Sequence, residues 1–114
     1  MTLRQLQRLS KDWQKKLGLQ DWHISINFAS REEMIYPGTV GQCLSRLRDH
    51  TAEIKIMKDN QTDYEIELAV IREHIHVLWS DLIPWDKTKA KLFERAVDQT
   101  AITLLHFKRE NLSE

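Results

Sequence analysis

A chain of 114 residues with 41% hydrophobic and 30% charged side chains is long enough to bury one core, too short for two, and not of disordered composition, so residues 1–114 read as a single domain. Seventeen basic and 17 acidic residues cancel, which gives no support to direct nucleic-acid binding through phosphates and permits, without demanding, a homodimer. No apolar run approaches the ~20 residues that span a membrane, Met1–Ser10 does not read as a signal peptide, and a single cysteine, Cys43, rules out an internal disulfide and suits a reducing cytosol.

In chain order, residues 2–17 read as a helix. Leu3, Leu6, Leu9, Trp13 and Leu17 fall in one arc, Thr2 can cap the start, and Gly18 can end it in the left-handed conformation. Residues 22–29 alternate, with Trp22, Ile24, Ile26 and Phe28 on one side, as a strand with one buried face does. A loop runs from Ser30 through Tyr36-Pro37-Gly38. From Thr39 to Arg48 the pattern is irregular and reads as a bent strand, with Gly41 as a bulge or an edge. Arg48-Asp49-His50 supplies a turn, and a third strand follows, with Ala52, Ile54 and Ile56 on one face and Glu53, Lys55 and Met57 on the other. Thr62-Asp63-Tyr64-Glu65 has the form of a capping box and opens a long helix to about Leu82, which Pro84 stops. Asp86 or Thr88 can cap a last helix to about Glu110, whose core face is Ala90, Phe93, Ala96, Val97, Thr100, Ala101, Leu104 and Phe107. The class is α+β: a helix, a small curved sheet of three or four strands, then two long helices.

The long central helix carries the chemistry. At ~100° per residue, Leu68, Ile71, Ile75, Leu78, Trp79 and Leu82 share a core arc, and Ala69, Arg72, Glu73, His76 and Ser80 form a second arc beside it. Zinc peptidases of the His-Glu-x-x-His type keep two ligands and a general base on such an arc. Here the five residues read Arg72-Glu73-His74-Ile75-His76. Together with "LGLQDWHISI", "AEIKIM", "ELAVIREHIHVLW" and "LFERAVDQTAITLLHFKRE", in that order over nearly the whole chain, this helix resembles the small phage-type zincin-like metallopeptidase family, with an Arg where the first His belongs. The resemblance implies a minimal zincin-like fold, with Glu73 as the catalytic base and His76 as a metal ligand. It also implies a third ligand from a later helix. Glu94, 18 residues beyond His76, stands at that place, and Asp98, one turn further, would support the site from behind.

Arg72 breaks the set, because a guanidinium is cationic and has no lone pair for zinc. Zinc is therefore expected to bind weakly or through an incomplete set, His76 and Glu94. Arg72 is expected to form an ion pair with Glu94 by a two-pronged bond, holding the helix contact that zinc would hold. His74 lies ~160° from His76 on the helix, so one ion cannot take both; it reads as exposed or partner-facing. His23, His50 and His106 read as surface residues, Cys43 as a packed thiol, Trp22 and Trp79 as core, and Trp85 beside Pro84 as a candidate partner contact. The resemblance implies a protein of the host-cell cytoplasm that acts by binding another protein, for example an inhibitor of a host defence nuclease such as a CRISPR effector. The alternative is a zinc-dependent peptidase with a non-standard ligand set.

Overall fold

A computed structural model describes residues 1–35, 38–84 and 86–112 of the protein. Tyr36, Pro37 and Trp85, including the expected partner contact at Trp85, lie outside the described residues. The order is α1 (Leu3–Lys16), β1 (His23–Ala29), β2 (Gly41–Arg46), β3 (Thr51–Met57), α2 (Asp63–Leu78) and α3 (Lys87–Leu112), an α+β arrangement with a three-stranded open sheet. None of the helices is long and apolar enough to cross a membrane, among the described residues.

Local chemistry explains each boundary. Thr2 accepts from the Gln5 N–H at 3.1 Å while the Gln5 side chain takes the Thr2 N–H at 2.7 Å, a reciprocal cap. Thr62 and Glu65 form the same box at the start of α2. The carboxylate of Asp86 accepts from the N–H groups of Thr88 and Lys89 and so caps α3. Gly18 ends α1 with φ +71°, where a side chain would be strained. The turn from β2 to β3 places His50 at φ 52°, with its ring stacked 4.9 Å from Trp22.

The sheet runs β1-β3-β2. β1 is parallel to the central strand β3, in the register His23↔Thr51 to Ala29↔Met57. β2 is antiparallel to β3, from Gly41↔Ile56 to Arg46↔Thr51, without interruption. Of the bulge or edge expected at Gly41, the ladder shows no bulge and β2 is an edge strand; the glycine also serves a close approach. Ile26, Ala52, Ile54 and Ile56 face the helices and join Leu6, Trp13, Ile66, Ile71, Ile75, Val97, Ala101 and Leu105 in one core. On the other face Met57 is buried against Ala29 and Met34, a small second cluster under the segment after β1.

α2 is the hub, touching α1, β2, β3 and α3. It is buried nearly all round: Ile66, Ala69, Val70, Ile71, Glu73, His74, Ile75 and Val77 are all inaccessible. The two-arc division expected of it therefore needs correction. Leu78 and Leu82 are exposed, and the regular helix ends at Leu78, followed by a 3-10 turn over Ser80–Leu82. On α3 the inward residues are Val97, Ala101 and Leu105, while Phe107 stands 62% exposed. Trp13 of α1 and Lys108 of α3 both bond the Glu67 carboxylate of α2, which ties the three helices at one end.

Candidate functional site

Gly41, Cys43 and Ser45 form the floor of a cleft of about 440 Å³, and Arg72, Glu73 and His76 of α2 form one wall. Glu94 of α3 closes it, with Thr39 and Ile83 at the rim. The floor is an edge strand, since β2 pairs with β3 alone among the described residues. The Met57 N–H reaches the Val40 carbonyl at 2.7 Å, so residues 40, 42, 44 and 46 bond to β3. By the alternation of an antiparallel ladder, the N–H and C=O groups of Gly41, Cys43 and Ser45 turn to the open edge.

Glu73 is a charged side chain in the interior, only 3% exposed, so it is no ordinary surface residue. It fits because the strand opposite has no side chain. A Cβ on Gly41 would stand 3.0 Å from Glu73 Oε2 and 3.2 Å from Ile56 Cδ1. That contact, rather than a bulge, is the demand for glycine.

His76 lies between two carboxylates. Its Nδ1 is 3.1 Å from Glu73 Oε1 and its Nε2 is 2.9 Å from Glu94 Oε1. Both neighbours are acceptors, so the arrangement is satisfied when both ring nitrogens carry protons and donate. Burial works against the charged ring, but the hydrogen bonds and charges of Glu73, and then those of Glu94, outweigh it and raise the His76 pKa above the ordinary value. Cys43 beside them is pushed up to about 12 by burial and by the Glu73 charge, so the thiol stays protonated and is no nucleophile at neutral pH.

Arg72 contacts Glu94 Oε2 with Nη2 at 3.7 Å, a single loose contact rather than the two-pronged bond expected. Its nearer partner is Asp98, with Nε 2.7 Å from Oδ1. Those two atoms have almost no solvent access and make no hydrogen bond, with each other or with any other described group, so their closeness as an ion pair is what compensates them. The five residues form one continuous chain of polar contacts, Glu73–His76–Glu94–Arg72–Asp98.

This donor set does not fit a zinc ion as arranged. Glu73 and Glu94 lie at opposite nitrogens of one imidazole ring, and a neutral His offers a lone pair from one of them. An ion at Nε2 could take His76 and Glu94 only, beside a cation, where zinc sites use three or four protein groups. Among the described residues no three His, Cys, Asp or Glu side chains are grouped to hold a metal.

His74 is corrected: it is fully buried, neither exposed nor partner-facing. Its Nδ1–H donates to the Val70 carbonyl at 2.7 Å, leaving Nε2 to accept from the Ser10 hydroxyl of α1 at 2.9 Å. Ser10 follows Leu6 by four residues and precedes Trp13 by three, on the core face of α1. A serine at such a position, opposite a histidine in an apolar helix, was the available sign of this pair. His23, His50 and His106 do not line the cleft; His50 pairs with Asp21 and His106 with Glu110.

No family model matches the chain, and no curated protein or solved structure matches it.

Proposed function

We propose that this is a zincin-like protein whose metal site has been converted to an ion-pair chain, and that it acts by binding another protein at the cleft over β2. The observation that supports this reading is that the groups expected to hold zinc already satisfy one another, His76 with Glu73 and Glu94, and Arg72 with Asp98 and Glu94. The cleft beside them keeps an edge strand whose unpaired main-chain groups suit an extended segment of a partner. The resemblance makes a host defence nuclease, such as a CRISPR effector, the partner class to test first. The competing reading, a peptidase, draws on the meeting of Glu73, His76 and Glu94 in one cleft.

Metal analysis and affinity capture separate the two. The purified protein should hold well under one zinc per chain after dialysis against chelator. It should capture a host protein that Ser45→Trp, which fills the cleft, no longer captures. Peptide cleavage that is lost both on chelation and in Glu73→Gln would overturn the binding reading in favour of the peptidase. Arg72→His, which restores the sequence His-Glu-x-x-His, should raise zinc affinity. If it does not, the lineage of the site is wrong even where the docking result stands.

A further inference from the structure

Arg4, Arg8, Lys11 and Lys15 recur every three or four residues on α1, so they fall within an arc of about 60° along roughly 16 Å of helix. All four are exposed, on the side away from the buried Leu6, Ser10 and Trp13. None makes an ion pair with a described residue, and the one carboxylate of the helix, Asp12, is held by Lys16 at 2.8 Å. The three successive pairs in this row, Arg4 and Arg8, Arg8 and Lys11, and Lys11 and Lys15, place like charges at spacings where they destabilise a helix. Arg4 also sits near the positive end of the helix dipole, in a first turn without an acidic residue. In a chain of zero net charge, unneutralised cations concentrated in one row oppose the stability of the helix that bears them. Such local conflict is expected where a surface serves a partner.

We propose that this row is a docking surface for an acidic helix of a partner protein, whose carboxylates repeat at the same three- and four-residue spacing. The narrowness of the arc decides between polyanions. A helix in the major groove of a duplex, about 12 Å wide, meets phosphates on both flanks and needs cations spread to both sides. Here the flanking residues are Gln5, Gln7, Asp12 and Gln14. An anionic membrane would call for an exposed apolar face, and the apolar face of α1 is turned into the core. No residue of α1 lines the cleft, so this surface stands or falls separately from the cleft reading.

The test is fluorescence anisotropy of the full chain against three labelled probes. The first is an alanine-rich helical peptide of about four turns with glutamates in one row at the spacing of the stripe. The second has the same composition with the glutamates spread around the helix, and the third is a short DNA duplex. The row peptide should bind at least about tenfold more tightly than the spread peptide and weaken as salt rises. Arg8→Gln/Lys11→Gln should lose that binding while its unfolding temperature stays level or rises, which a structural role for these cations would not produce. Equal binding of the two peptides, tighter binding of the duplex, or undiminished binding by the double variant would overturn the proposal.

Discussion

Arg72 is a cation in a row of carboxylates, and its exposure sets its worth. Its side chain is 32% exposed and those of Glu94 and Asp98 are 48% and 47% exposed. A fully buried pair broken from one side costs about 3–5 kcal/mol, but solvent screens this one, so Arg72→Ala should cost about 1 kcal/mol in chemical denaturation. Gly41→Ala should cost more, about 1–3 kcal/mol, because the new methyl forces Glu73 off its position. An NMR titration should then show the His76 pKa falling toward the ordinary range as its first partner is displaced. His74 makes the opposite pH prediction to His76. Burial lowers its pKa despite the Val70 carbonyl and the Glu73 charge, so on acidification the unfolded chain takes up a proton that the folded one refuses. Stability relative to His74→Leu should decline below pH ~6.5 by at most about 1.4 kcal/mol per pH unit. His76 has a raised pKa, so its contribution is full below the ordinary histidine range and is lost as pH rises through its folded value. Urea unfolding of the parent and the His74 variant at pH 5, 6 and 7 checks the first sign.

At the scale of elements, the caps and strand faces were legible because they rest on near neighbours. The boxes at Thr2 and Thr62, the Asp86 cap, the left-handed Gly18 and the inward row Ala52, Ile54 and Ile56 follow from spacing alone. α2 was legible only in part. An amphipathic wheel assumes one dry face, and this helix has neighbours on most sides, so Glu73 and His74 are buried while Leu78 is not. The energetic consequence is testable with a pair of truncations. Ile75→Ala, at a fully buried position, should cost about 2–5 kcal/mol. Leu78→Ala, at a position 38% exposed, should cost clearly less, by the same denaturation measurement. Equal costs would mean that the C-terminal end of α2 packs differently from the arrangement described.

At the scale of the whole molecule, one cluster draws side chains from all three helices and from strands β1 and β3, with Cys43 of β2 packed against it. Unfolding should therefore be a single transition, with far-ultraviolet circular dichroism and tryptophan fluorescence tracing the same curve. The amino-acid sequence by itself determined the α+β class, the order of the elements, the starts of the three helices, and the presence of Glu73, His76, Glu94, Arg72 and Asp98 as groups able to meet. Those features depend on periodicity and on contacts a few residues apart. Only the tertiary structure decided that β3 lies between β1 and β2, that Arg72 takes Asp98 as its nearer partner, that His74 reaches Ser10 across 64 residues, and that Gly41 makes room for a carboxylate. Each of these is a contact between distant parts of the chain, and its geometry exists only once helix and sheet have packed, because no local spacing encodes which side chain will stand opposite.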